Sequence, residues 1–287
     1  MPPIFNQVCR HIYTAALFTW TDYKTVFFPV TAFACAAGPL HSTSHLVDGW
    51  IWIWMHLLMC NVSNQAASKE EDAKNRAWRP LPSGRVTKSQ AFVLRWFTVV
   101  GCLLWSASYG AGILLISATL FATTFIYDEM GAAGHLIGKN FCNIGGYVAF
   151  ESGAMLIMGP RTGLDDNSQR ALLLSGALIF TTIQAQDFAD VEGDAASGRE
   201  TFPIRAPELS RVVTFIALGF WSIFLSSAWS IGSTCRLVFI SLGFYTGIRF
   251  YWWRTMETDR RSYLIFCIWL LIAHTLPLHI RSGALGF

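Results

Sequence analysis

Long apolar runs separated by short polar loops dominate this chain, and their length limits what it can fold into. Runs near 25–42, 47–66, 90–108, 110–128, 141–159, 171–189, 210–230, 235–252 and 262–280 each match the roughly 20 residues a helix needs to cross the hydrocarbon core of a bilayer. Inside lipid every backbone N–H and C=O must be bonded internally, which such a run achieves as a helix. The expected architecture is all-α: a multi-pass membrane protein of about nine transmembrane helices around a central cavity, forming one domain over residues 1–287. Composition agrees, with 53% hydrophobic, 15% aromatic and 14% charged residues and a mean hydropathy of +0.41, outside the soluble globular range.

Basic residues predict orientation. Lys74, Arg76, Arg79, Arg85, Lys88, Lys139, Arg199, Arg205, Arg211, Arg254, Arg260 and Arg261 fall in the loops after the second, fourth, sixth and eighth runs, joined by Arg10 and Lys24 of the N-terminal arm. Arg161, Arg170, Arg236 and Arg281 fall on the other side. The positive-inside rule puts the first side in the cytoplasm, in the endoplasmic reticulum membrane if the cell is eukaryotic. A net charge of +3 is then explained by topology and anionic headgroups, with no need for a nucleic-acid partner. The N-terminal residues lack a signal-peptide layout, so no processing is expected. Seven scattered cysteines show neither a Cys-x-x-Cys pair nor metal-ligand spacing and read as small buried hydrophobes. Asn61-Val-Ser63 fits the glycosylation pattern but lies at the cytoplasmic end of a run.

Two acidic segments stand out because carboxylates are costly near membrane depth and mark sites there. They are Asn64-Gln-Ala-Ala-Ser68-Lys-Glu-Glu71-Asp72 and Asp187-Phe-Ala-Asp190-Val-Glu-Gly-Asp194, both on the cytoplasmic face. At 100° per residue, Asn64, Ser68 and Asp72 spread over about 80° of a helix, and Asp187, Asp190 and Asp194 over about 60°. Each trio can aim oxygens at one point. Such oxygen clusters suit Mg²⁺, which takes one or two carboxylates together with substrate phosphate oxygens. Facing one another, the two segments would hold a diphosphate through bridging metal. Arg79 and Arg85 follow the first segment and Arg199 the second, where arginine forks fit phosphate and where each also serves as a topology determinant. Lys139 and Asn143, four apart, can face the same cavity. Lys24 is a phosphate ligand or a snorkelling anchor.

These residues resemble the UbiA superfamily of intramembrane prenyltransferases over nearly the whole chain, most specifically in Arg79-Pro-Leu-Pro-Ser-Gly84 and in Asp190-x-x-x-Asp194-x-x-x-Gly198-x-x-Thr201. The resemblance implies an isoprenoid diphosphate substrate bound between two Asp-rich motifs, with Mg²⁺ as cofactor and the lipid bilayer as setting. Asp190, Asp194, Asp72 and Asn64 would be catalytic; Asn64, Ser68, Glu71, Asp72, Asp187, Asp190 and Asp194 would bind metal; Arg79, Arg85, Lys139, Asn143, Arg199 and Lys24 would bind substrate. The first motif departs from the family's Asn-Asp-x-x-Asp-x-x-x-Asp: Gln65 and Ser68 replace two aspartates. That degenerate form resembles a fungal branch containing membrane-bound terpene cyclases.

Metal-assisted loss of diphosphate would give a carbocation in either of two reactions. In a cyclase the chain's own double bonds attack it; in a prenyltransferase an aromatic acceptor does. The altered first motif favours the cyclase, converting geranylgeranyl or farnesyl diphosphate to a cyclic terpene. Trp50, Trp52, Trp54, Tyr251, Trp252 and Trp253 read as interface anchors, so aromatic content does not discriminate. Glu151 either shapes or quenches the cation or pairs helices. A transporter is a distant third reading, since no repeat is visible and the acids lie near one face, away from the midplane.

Overall fold

A computed structural model describes residues 3–160 and 163–287, excluding the side chains of Pro3, Ile4 and Glu71. Helices occupy every apolar run: α1 (Pro3–Thr19), α2 (Phe28–Ala37), α3 (Thr43–Ala67), α4 (Lys69–Asn75), α5 (Lys88–Ala107), α6 (Ala111–Asp128), α7 (Leu136–Met158), α8 (Asp166–Thr182), α9 (Val191–Ala196), α10 (Phe202–Arg205), α11 (Pro207–Ala228), α12 (Ser233–Trp252), α13 (Met256–Thr275) and α14 (Leu278–Ser282). Among the described residues there is no strand, only one isolated bridge between His135 and Glu200. Five helical stretches are long and apolar enough to cross a membrane: Lys88–Ala107, Ala111–Asp128, Leu136–Met158, Pro207–Ala228 and Met256–Ser282. The helices over the other four runs do not meet that measure; α2 has 10 residues and α8 has 17.

Helix starts follow local chemistry. Thr87 and Thr255 close capping boxes with Gln90 and Thr258, and Asp165 accepts from the Ser168 N–H to cap α8. α1 was not foreseen as a helix. It packs against α3 and leaves Phe5, Val8, Ile12 and Tyr13 uncovered, an apolar face suited to the lipid interface.

α7 packs against α2, α3, α6 and α8, while α11, α12 and α13 follow one another around the far side and α13 returns to α2. Tight crossings rely on small residues, as is general where lipid supplies no hydrophobic drive. A Cβ on Gly243 of α12 would lie 1.9 Å from Ser222 Oγ of α11. Buried indoles find partners across helices: Trp52 Nε1 donates to Ser106 Oγ at 2.9 Å and Trp269 Nε1 to Ser222 Oγ at 2.9 Å. His56 Nδ1 donates to the Trp52 carbonyl at 2.8 Å, which leaves Nε2 to accept from Ser117 at 2.7 Å.

Both acidic segments lie where helices break, which corrects the picture of three side chains on one regular helix. α3 ends at Ala67 and α4 begins at Lys69, yet the spine persists, because Ser68 N–H bonds Asn64 O and Asp72 N–H bonds Ser68 O, both at 2.9 Å. The second segment departs further. α8 stops at Thr182, a 3₁₀ turn spans Ile183–Gln186, and Asp190 precedes the short α9. Asp187 and Asp190 bond back three residues, to Gln184 and Asp187, and Asp194 bonds back four, to Asp190. The tighter 3₁₀ winding ends the span and turns the acids inward.

Candidate active site

A cavity of about 560 Å³ opens between the two breaks. Asn64, Ser68 and Asp72 line one wall, Asp187, Asp190 and Asp194 another, and Lys139, Asn143, Arg79, Arg199 and Lys24 of the expected set line the cavity with them. The breaks meet because α4 touches α9. Gly193 permits this: a Cβ there would lie 2.1 Å from Asn75 Nδ2.

Asp72, Asp187, Asp190 and Asp194 each carry a basic partner. Arg79 Nη1 donates to Asp72 Oδ1 at 2.7 Å, Lys139 Nζ to Asp187 Oδ1 at 2.6 Å, and Arg199 Nη1 approaches Asp194 Oδ1 at 3.4 Å. Arg76 Nη2 donates to Asp190 Oδ2 at 2.7 Å and so joins the first segment to the second. Burial pushes the Asp194 carboxyl above its ordinary value, opposed by Lys139 and Arg199. Six carboxylates face six Lys or Arg side chains around the cavity, so the lining is formally neutral. A diphosphate entering it would bring uncompensated negative charge and calls for added cations.

The donor set tests whether Mg²⁺ fits. Among the described residues no three His, Cys, Asp or Glu side chains converge into a protein-only cage. Mg²⁺ does not require one, since it characteristically takes one or two carboxylates with phosphate oxygens and water. Asp72 is 1% exposed, lines the cavity, and its Oδ2 has no hydrogen-bond partner. Oxygen ligands left unsatisfied beside a ring of bases suit a hard cation carrying diphosphate.

Away from this mouth the lining turns apolar and aromatic, with Val26, Leu57, Leu120, Tyr147, Phe150 and Tyr263. From Lys139 to Phe150 along α7 the wall extends about 16 Å at 1.5 Å per residue. Tyr147 is fixed by donating to the Thr25 carbonyl at 2.7 Å, and Phe150 meets Trp52 edge to face at 6.1 Å. Such ring faces attract a nearby cation by about 0.5 to 2 kcal/mol each.

One expectation needs revision. Arg85 does not reach the cavity; it is exposed and lies over the Tyr13 ring at 5.1 Å, because the Arg79–Arg85 loop is pinned through buried Leu81 against Phe18, Leu58 and Val62 and turns outward beyond it. Ser68 lines the cavity, and its hydroxyl donates to the Asn64 carbonyl at 2.8 Å, which leaves the oxygen lone pairs for the cavity. Glu151 is fully buried outside the lining and accepts from Ser175 at 2.6 Å, with His274 Nε2 at 3.5 Å; it pairs α7 with α8 and α13. Glu71 lies outside the described side chains, as Arg161 lies outside the described residues. Lys24 both lines the cavity and sits 5.2 Å over the Tyr263 ring.

The structure adds Asp22, Arg76, Asp128 and Arg260 to the charged lining. Arg76 shares a loop with Arg79, and Asp128 ends an apolar run as the acidic segments do, so the signals that singled out those segments extend to both.

Residues 25–271 match the model of the UbiA prenyltransferase family. Over 269 residues the chain is 28% identical to the fumagillin beta-trans-bergamotene synthase of Aspergillus fumigatus, covering 93% of this chain and 92% of that one. A polyprenyl transferase of Hericium erinaceus is 29% identical over 287 residues, covering 94% and 97%. The fold matches a UbiA homologue from Archaeoglobus fulgidus, solved with GPP and Mg²⁺, at a TM-score of 0.65 and 12% identity, covering 92% of this chain and 99% of that one.

Proposed function

The chain belongs to the UbiA prenyltransferase family, and on that premise we propose that it is an Mg²⁺-dependent, ionisation-initiated terpene cyclase converting farnesyl or geranylgeranyl diphosphate to a cyclic terpene. The observation that carries this reading is one cavity with a charged mouth and an aromatic floor. A diphosphate head and an isoprenoid tail need those two environments.

Asp190, Asp194 and Asp187 on one side, and Asn64 and Asp72 on the other, would hold Mg²⁺; when bound, the metal supplies the Lewis acidity that neutralises the leaving diphosphate. Arg76, Arg79, Lys139 and Arg199 exchange their carboxylate partners for phosphate oxygens as substrate arrives, and their charge is strongest where water is excluded. Asn143, whose Nδ2 is buried without a partner, donates to the same group. Tyr147, Phe150 and Tyr263 pack the tail and stabilise positive charge along it. The charge asymmetry of the loops supports a mouth on the cytoplasmic side, at the endoplasmic reticulum in a eukaryotic cell.

The similarity to a polyprenyl transferase supports a second reading, in which an aromatic acceptor captures the same cation. Diphosphate release from purified protein, measured with and without an acceptor and compared with Asp190→Ala, separates the two. Acceptor-independent release that Asp190→Ala abolishes supports the cyclase; acceptor-dependent release supports the transferase.

A further inference from the structure

The two walls of the charged mouth are unequal. Three carboxylates, Asp187, Asp190 and Asp194, stand on one, whereas the face carrying Asn64, Ser68 and Asp72 has one. Asp128, at the end of α6, lies against that poorer face and lines the same cavity. Its Oδ1 accepts from Asn64 Nδ2 at 3.0 Å, and the Ser63 hydroxyl is a second neutral donor beside the carboxylate. Among the described residues no Lys or Arg forms an ion pair with it, and Arg95, whose field reaches it, is held by Glu129. Asp72, Asp187, Asp190 and Asp194, by contrast, have such partners.

A buried carboxylate without a counter-charge is costly. A cation entering this cavity would remove the cost. We propose that Asp128 is a divalent-cation ligand of the Asn64 wall, supplying the carboxylate that Ser68 does not. The hydrogen bond from Asn64 fits this role, because it commits the amide nitrogen to Asp128 and leaves the amide oxygen, the atom that can bind a cation, available to the cavity. With the unpartnered Oδ2 of Asp72, which is 1% exposed, that gives the wall three oxygens of the kind hard cations take. The inference rests on the reading of the cavity as a metal–diphosphate site.

Mn²⁺ binding, read by electron paramagnetic resonance on the full-length protein in nanodiscs with inorganic diphosphate present, tests it without turnover. Asp128→Asn keeps the shape and still accepts from Asn64, so only the charge is lost. Expected is a loss of Mn²⁺ affinity of about tenfold or more, the scale seen when groups supporting a metal site are removed. Ser68→Asp introduced into Asp128→Asn should restore binding, an outcome misfolding could not produce. If wild type binds Mn²⁺, Asp190→Asn weakens it and Asp128→Asn matches wild type, the inference fails and the reading of the cavity stands. If wild type binds no Mn²⁺ with diphosphate, both fail.

Discussion

Arg76 and Asp190 lie 114 positions apart in the chain, and their side chains meet at 2.7 Å, tying the loop after one acidic segment to the other. On the proposed function, the guanidinium stands where the cation side of a metal–diphosphate complex would lie and would donate to phosphate. Arg76→Gln should therefore raise KM about 10- to 100-fold, matching the roughly 1.5 to 3 kcal/mol of a hydrogen bond to a charged group. Steady-state kinetics check this; an unchanged KM would show that Arg76 only braces the fold.

Asp190→Ala and Asp194→Ala should abolish turnover while the protein stays folded, and Asp72→Ala should be comparably severe. Ser68→Ala should be mild, because a neutral hydroxyl holds a hard cation less strongly than the carboxylates of Asp72 and Asp190. Product formation, with thermal melting as the folding control, decides. A Ser68→Ala variant as damaged as Asp190→Ala would make Ser68 a ligand.

Gly193→Ala should separate the two walls, since its Cβ would fall 2.1 Å from Asn75 Nδ2. Turnover should drop more than melting temperature. Adding Asn75→Ala should recover part of the activity by clearing the space; no recovery would place the defect elsewhere.

Glu151→Ala should destabilise the protein without changing its products. It removes the acceptor of Ser175 and leaves buried polar groups unmatched, at a cost of about 1 to 3 kcal/mol. Glu151→Gln, which keeps an acceptor oxygen, should be milder. Gas chromatography of the products is the second readout, and an altered product spectrum would show that Glu151 touches the reacting chain.

The membrane helices and both acidic segments were readable because their signals are local: long apolar runs, and carboxylates where carboxylates are costly. Arg79, Lys139, Asn143 and Arg199 could be placed with them because each lies close to a segment or at the cytoplasmic end of a run. What a single run does not encode is where the helix gives way. The breaks at Ser68 and Ile183–Gln186 sit inside patterns whose composition still reads as helix, and the contact between α4 and α9 decides them. The Arg76–Asp190 and Asn64–Asp128 pairs depend on chain segments brought together only by folding. Arg85 shows the converse, a residue near the motif in sequence that a pinned loop turns toward Tyr13.

The most direct test of the central claim is to incubate the purified protein in nanodiscs with Mg²⁺ and farnesyl or geranylgeranyl diphosphate, with no acceptor, and analyse the extract by gas chromatography with mass detection. The account predicts a cyclic terpene that disappears when the metal is chelated. Intact diphosphate in every acceptor-free reaction would contradict it.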